Sequence, residues 1–192
     1  MGMKTFWNNR RVLVTGHTGF KGAWLTLWLR HLGAQVQGIA LEPELKPGLL
    51  EQFGLLGEIQ HNIQDIRDVS ALRKLIGSFA PEIVFHLAAQ PLVRRSYREP
   101  VDTWNTNVFG TINVMECLRA SSQPVVAVMV TTDKVYLNNE WAHAYREIDP
   151  VGGHDPYSSS KAATEIAVAS WRSSFFGDGC QTAVATARAG NV

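Results

Sequence analysis

Apolar and polar positions along the chain change period in a regular way. Residues 11–15 (RVLVT) form a short β-branched run ending at a glycine cluster, and residues 20–32 (FKGAWLTLWLRHL) then carry apolar side chains over a helical length. Strand, tight turn and helix follow. Gly33 ends that helix, and 34–41 (AQVQGIAL) supplies a second strand. Pro43 and Pro47 break residues 42–56 into a loop or short helical excursion. Residues 60–65 predict a weak third strand and its exit, 69–79 a helix, and 82–88 (EIVFHLA) a fourth strand. The centre of that strand is nearly all apolar, as expected where both faces of a parallel sheet are covered. A long helix over 101–120, interrupted at Gly110, leads to a fifth strand at 125–131 (VVAVMVT). A helix over 157–175 and a sixth strand over 182–187 complete the pattern, and the N-terminus is expected to enter the first strand directly.

Repeated βα units with right-handed crossovers place six strands in one parallel sheet. The expected fold is α/β, a doubly wound Rossmann-type sheet of order 3-2-1-4-5-6 with ligands at the carboxyl ends of the strands beside strand 1. A length of 192 residues suits one dinucleotide-binding domain over 1–192 and is short for that domain plus a full substrate lobe, so a C-terminal substrate-binding portion is expected outside this chain. The 45% hydrophobic and 18% charged composition is that of a globular domain. A net charge of +1 provides no broad basic field for nucleic acid, yet it leaves room for a local cationic pocket facing a phosphate. The longest apolar runs, such as 124–130, are strand length and too short for a membrane span. The N-terminus lacks a signal-like apolar segment, and the two cysteines, Cys117 and Cys180, form no ladder, so a cytoplasmic location is expected.

The candidate chemistry sits at the predicted strand exits. Gly16, Gly19 and Gly22 in GHTGFKG lie between a strand and a helix, which permits a tight turn, close approach of a pyrophosphate to backbone, and close packing of the helix on the sheet. His17 and Lys21 either lean toward that phosphate or are exposed. The second strand ends in Ala40 and Leu41 where an acidic residue usually holds the adenine ribose; Glu42 is nearby, as a ribose partner or a solvated loop residue, which leaves NAD and NADP both open. Asp65 is placed to accept from the adenine amino group, and Leu87, Ala88 and Ala89 leave the fourth strand with side chains that permit backbone approach to the nicotinamide side, or simply pack closely.

Tyr157 and Lys161 in YSSSK stand on one helical face, where an ammonium beside the phenol favours the phenolate and makes tyrosine a usable base. Thr132 can orient the same hydroxyl. Asp133 and Lys134 put an acid and a base at one strand exit, which elimination of water requires and plain hydride transfer does not; the alternative is a solvated pair. None of the six histidines makes a metal pattern: His86 reads as a satisfied core residue, and His143 and His154 are loosely spaced. Ser158 to Ser160 read as helix-start residues, Trp24 and Trp28 as packing on the first helix. Arg94, Arg95 and Arg98 form a cationic cluster for a substrate phosphate, a subunit surface or solvent.

The segments GHTGFKGAWL, FHLAAQPLVRRSYREP, TTDKVYLNNEW, GGHDPYSSSKAATE and ARAGNV together resemble the extended short-chain dehydrogenase/reductases, in their nucleotide-sugar 4,6-dehydratase branch. The resemblance spans essentially the whole chain. It implies NAD as cofactor, held by Gly16, His17, Thr18, Gly19, Phe20, Lys21, Gly22, Asp65, Ile66, Leu87, Ala88, Ala89, Asn107, Thr131, Tyr157 and Lys161. It implies a nucleotide-sugar substrate, CDP-glucose, met by Gln90, Thr132 and Asn191, and no metal. Tyr157 would be the base at the C4 hydroxyl, Lys161 its partner on the cofactor ribose, Thr132 the orienting hydroxyl and Asp133 the acid at the C6 hydroxyl. Lys134 stands where related dTDP-sugar enzymes have glutamate and is assigned to C5 proton removal. The product would be CDP-4-keto-6-deoxyglucose, a precursor of the deoxy sugars of bacterial surface polysaccharide such as lipopolysaccharide O-antigen. The resemblance also implies a homodimer or larger homo-oligomer built on two long helices, with Phe109, Val114 and Trp171 at the interface. A nucleotide-sugar 4-epimerase or a non-catalytic dinucleotide-binding scaffold would share the fold.

Overall fold

The computed structural model describes residues 2–177 and 179–190, so Asn191 lies outside the described residues. In chain order the elements are α1 (Met3–Trp7), β1 (Arg11–Thr15), α2 (Phe20–His31), β2 (Gln35–Ala40), α3 (Leu49–Gln52), β3 (Gln60–Ile63), α4 (Val69–Phe79) and β4 (Ile83–His86). They continue with α5 (Val93–Arg98), α6 (Pro100–Trp104), a π-helical turn (Asn105–Phe109), α7 (Gly110–Arg119), β5 (Val125–Thr132), a 3-10 turn (Asp133–Val135), α8 (Pro156–Phe175) and β6 (Thr182–Ala189). Every strand pairing is parallel, and the order is β3-β2-β1-β4-β5-β6 as the sequence predicts. No helix of the described residues is long and apolar enough to cross a membrane.

The period-2 geometry of β1 explains its unbroken apolar run: successive side chains point to opposite faces, and both faces are covered. Val12 and Val14 pack with Leu29 of α2, Val36 and Ile83, whereas Leu13 joins Leu72 of α4, Met115 and Leu118 of α7, and Met129 on the other face. Coverage is incomplete further along the sheet. Val126 is 53% exposed, and Ala183, Ala185 and Ala187 on the same face of β6 are also exposed, so among the described residues no helix lies over that patch.

The short helices are where local pattern misleads. The chain does not enter β1 directly; α1 precedes it, with Trp7 packed on Phe85 at a centroid distance of 6.2 Å. The segment carrying Arg94, Arg95 and Arg98 is helix α5 rather than a simple strand exit, and Arg95 is paired with Glu99 and Glu44. The interruption expected at Gly110 is the π turn ahead of it, and a Cβ at Gly110 would collide with the Ile66 side chain. Trp24 and Trp28 are about half exposed, correcting their reading as packed residues; Trp24 leans on Phe53 alone among aromatic partners, 4.8 Å between centroids. Val114 is fully buried in the core, which removes it as an interface residue, while Phe109 is 56% exposed.

Truncation of the fully buried Leu118 to alanine is expected to cost about 2–5 kcal/mol of unfolding free energy, and Leu45→Ala at an exposed position within about 0.5 kcal/mol of zero. Urea unfolding followed by tryptophan fluorescence measures both.

Candidate active site

The turn between β1 and α2 is made for close backbone approach. Gly16 has φ +75°, and a Cβ there would sit 2.7 Å from the Ala88 nitrogen; a Cβ on Gly22 would run into the Gly16 carbonyl. The first turn of α2, a helix of 12 residues, therefore opens toward the exits of β1 and β4 with no side chain in between. Thr18 is tied to the Leu41 carbonyl at 2.9 Å, Phe20 is 58% exposed, and Lys21 Nζ donates to the Gly190 carbonyl at 3.0 Å. His17 turns the other way. Its ring is fully buried over Gly38, where no Cβ leaves room for it, and Nε2 shares a hydrogen bond with His61 Nδ1 at 2.7 Å. The histidine is thus a packing element beneath the turn and does not lean toward a phosphate. Burial and the neighbouring His61 lower its pKa to about 4.

At the adenine end, a cleft of about 270 Å³ is bounded by Thr18, Glu42, Lys46, Leu50 and His61. Glu42 pairs with Lys46 at 3.3 Å at its mouth. Asp65 leaves β3 as expected, but its carboxylate accepts from the Arg67 amide, Nε and NH2, at 2.6–3.0 Å. Those bonds hold its pKa below the usual carboxylate range and occupy the acceptors that the sequence reading assigned to adenine. Ile66 is buried against the core.

The exit of β4 is set by a chain of polar contacts inside the protein. The Ala88 amide donates to Thr15 Oγ1 at 3.2 Å, Thr15 Oγ1 meets His86 Nδ1 at 2.7 Å, His86 Nε2 meets Thr111 Oγ1 at 2.9 Å, and Thr111 donates to the Asn107 carbonyl at 2.7 Å. Because the hydroxyl of Thr15 accepts from Ala88, its own proton goes to His86, which is then neutral with hydrogen on Nε2. Burial agrees, lowering the His86 pKa to about 3 with a smaller push from Lys161. His86 is the satisfied core histidine that its setting in an apolar strand suggests. Leu87, Ala88 and Ala89 follow it half-buried, and the backbone of Leu87 and Ala88 lies against Gly16.

Gln90 and Asn107 brace one another rather than face open space. The Gln90 amide nitrogen of the backbone donates to Asn107 Oδ1 at 2.8 Å, and Asn107 Nδ2 donates to the Gln90 carbonyl and to Ser160 Oγ. The side chain of Gln90 is bonded to Thr103 and to both backbone groups of Leu92.

The reacting candidates converge where β5 meets α8. Asp155 caps α8 reciprocally with Ser158 and fixes Tyr157 and Lys161 on the first two turns of the helix, as the helix-start reading of Ser158 requires. Thr132 ends β5; its hydroxyl donates to Asp133 Oδ1 at 3.0 Å and accepts from the Lys134 amide at 3.3 Å, holding the 3-10 turn that presents Asp133 and Lys134 to solvent. Tyr157 and Lys161 are buried. Among the described residues the Lys161 ammonium makes no direct ion pair, and it donates to the Val130 carbonyl at 3.0 Å; burial lowers its pKa to about 8 against the opposing pull of Glu165. The phenol behaves contrary to the sequence expectation. Burial raises the Tyr157 pKa, the Asp133 and Asp155 carboxylates add to it, and only the Thr132 hydroxyl works the other way. Lys161 does not favour the phenolate here because its ammonium is turned to the strand carbonyl.

One residue that sequence reasoning missed completes the cluster. Glu165, one turn beyond Lys161, accepts from Thr131 Oγ1, Thr186 Oγ1 and Arg188. Only its four-residue spacing from Lys161 on the helix could have pointed to it.

A parallel sheet wound in this order, with a glycine turn after β1 and a tyrosine–lysine pair at the foot of α8, defines the extended short-chain dehydrogenase/reductase class. Residues 13–185 match the family described as GDP-mannose 4,6 dehydratase, and the chain belongs to that family. It is 48% identical over 193 residues to the CDP-glucose 4,6-dehydratase of Salmonella typhimurium, covering 98% of this chain and 54% of that protein. Identity to the UDP-glucose 4-epimerase of Mycolicibacterium smegmatis is 32% over 159 residues, 81% of this chain and 49% of the other. The solved Thermus thermophilus UDP-glucose 4-epimerase complex with NAD superposes with a TM-score of 0.76 at 25% identity, over 93% of this chain and 54% of that one. The chain spans about half the length of these relatives.

The two buried histidines make stability acid-sensitive. Unfolded, each takes up a proton below pH 6.5; folded, His17 stays neutral to about pH 4 and His86 to about pH 3. The unfolded state therefore binds more protons in that window, and stability falls with acidification by roughly 1.4 kcal/mol per group per pH unit. Urea unfolding at steps from pH 7 to pH 5 should show this decline, and His17→Asn should flatten it by about half; a level profile contradicts the neutral-histidine assignment.

Proposed function

We propose that this chain is the NAD-binding, reaction-bearing half of a nucleotide-sugar 4,6-dehydratase that converts CDP-glucose to CDP-4-keto-6-deoxyglucose and water. The observation that carries this reading is the turn at the end of β5, where Asp133 and Lys134 stand beside Thr132 and the Tyr157–Lys161 face of α8. Proton donor and proton acceptor at one strand exit suit elimination. The likeness to a CDP-glucose 4,6-dehydratase, closer than to the epimerase compared above, supports the same choice and the cytidine base. The uncovered apolar face of β5 and β6 fits a further C-terminal substrate-binding portion packed there.

The residues suit NAD. Gly16 and Gly22 leave backbone bare before the N-terminus of α2, Ala88 and Ala89 keep the nicotinamide side open, and the Glu42 carboxylate at the adenine-end cleft disfavours a 2′-phosphate. When bound, NAD supplies a reversible store for one hydride. The chain's own groups handle the protons. Once Lys161 turns from the Val130 carbonyl to the ribose and phenol, its charge would let Tyr157, oriented with Thr132, ionise and take the proton of the C4 hydroxyl as that carbon becomes a carbonyl. The C4 carbonyl acidifies the C5 hydrogen, which Lys134 removes while Asp133 protonates the departing C6 hydroxyl; the hydride stored on NAD would return to C6 as C5 is reprotonated, which closes the cycle. Val101, Phe109 and Ile166, exposed by 72%, 56% and 61% on the neighbouring helical segments, support a homodimer through that face. A cytoplasmic enzyme feeding surface-polysaccharide synthesis is the consistent setting.

Purified full-length protein, including the proposed C-terminal portion, given NAD and CDP-glucose should yield a 4-keto-6-deoxy nucleotide sugar, identified by mass and NMR; accumulation of a 4-epimer overturns the assignment. Tyr157→Phe should lower turnover about 10²–10⁴-fold. Asp133→Asn should retain C4 oxidation, seen as NADH absorbance in a single turnover, and lose most elimination; equal loss of both steps removes Asp133 as the acid.

A further inference from the structure

Glu165 is 7% exposed, yet it carries a carboxylate bonded on every side. One oxygen accepts from Thr131 Oγ1 at the end of β5; the other accepts from Thr186 Oγ1 at 3.2 Å and Arg188 NH2 at 3.1 Å, both on β6. Arg188 extends the contact outward. Its NH1 donates to Tyr136 Oη at 3.0 Å and to the Glu147 carbonyl at 3.1 Å, and its guanidinium carbon lies 4.9 Å from the Tyr136 ring centroid. Tyr136 directly follows the Asp133–Val135 turn, and Glu147 belongs to the loop that leads into α8. One buried carboxylate thus joins both strand ends, the helix and the loop that surround the proposed reacting groups.

We propose that Glu165 is a positioning residue for the Tyr157–Lys161 pair, holding β5, β6 and the 136–151 loop in register with α8 through Thr131, Thr186 and Arg188 while supplying the negative charge that retains the buried Lys161 ammonium. The inference rests on Tyr157 and Lys161 being the reacting pair.

A strut alone does not need charge, since a buried ion pair is often replaceable by apolar residues of similar volume without loss of stability. What charge adds is its action on Lys161. The charged and titratable groups around that ammonium are Glu165 from α8, Lys21 from α2, His86 from β4 and, behind Glu165, Arg188 from β6. Glu165 is the carboxylate that acts on Lys161, and Lys21 opposes it. Arg188 draws on the same carboxylate. The two cations therefore compete for one anion, and changing either end must move Lys161 in opposite directions.

The test is the pH titration of Lys161 in the intact protein labelled with ¹³C at lysine Cε, its resonance assigned by loss in Lys161→Met. Glu165→Gln should move the Lys161 midpoint down by about one pH unit and Arg188→Met should move it up by a similar amount. The double variant E165Q/R188M should move it less than either single change, and Glu165→Asp should stay near the parent. If a single variant fails to fold by circular dichroism, the double and Glu165→Asp are compared instead, and the same order is expected. Unmoved midpoints, or shifts of the same sign in both single variants, overturn the proposal. With CDP-glucose and NAD, the pH at which kcat is half-maximal should follow the lysine midpoint while KM changes little. Opposite lysine shifts in a protein that does not dehydrate CDP-glucose sustain the electrostatic link and defeat the functional reading; the converse pattern defeats the link alone.

Discussion

Gly16 lies so close to the exit of β4 that any side chain there would displace the Ala88 backbone, and the arrangement of the proposed site follows from this approach. It brings the β1–α2 turn against residues 87–89 and leaves the first turn of α2 facing bare backbone. The Thr15–His86–Thr111 chain then ties the β4 exit to the π turn, and Asn107 in that turn reaches Ser160 on α8. Cofactor end and reaction end are connected through buried polar contacts rather than through the surface. Each such contact is satisfied, as buried polar groups must be to avoid a desolvation penalty.

Burial then governs the protonation of the site. Lys161, His17 and His86 are all shifted toward their neutral forms, and the Tyr157 phenol likewise, because charge is poorly solvated between sheet and helix. Against this background a buried carboxylate, Glu165, opposes the effect of burial on Lys161 while it is also paired with Arg188. The Asp133–Lys134 turn is the contrast: its groups face solvent. The proposed site is thus buried on its Tyr157–Lys161 side and open to solvent at the end of β5.

The strands and long helices were legible because their signals are local and strong. The six apolar runs, the glycine turn and the YSSSK helix start all stand where their patterns place them, and His86 is the core residue its apolar strand implies. The short elements were less so: α1 and α5 are held by packing and by flanking contacts such as Trp7 on Phe85, which no period records. His17, Asp65 and Gln90 show what a motif leaves out. Each sits at the position its motif predicts, but its polar atoms are consumed by His61, Arg67 and Thr103, residues distant or unremarked in the chain.

The sequence by itself determined the parallel α/β architecture, the order of its strands and the clustering of Thr132, Asp133, Tyr157 and Lys161 at one sheet edge, because hydrophobic period and right-handed crossover leave few alternatives. Only the tertiary structure decided which of those groups face one another and in what charge state. Side-chain direction and desolvation depend on neighbours from other elements, as the Lys161 contact to Val130 and the convergence of Thr131, Thr186 and Arg188 on Glu165 demonstrate.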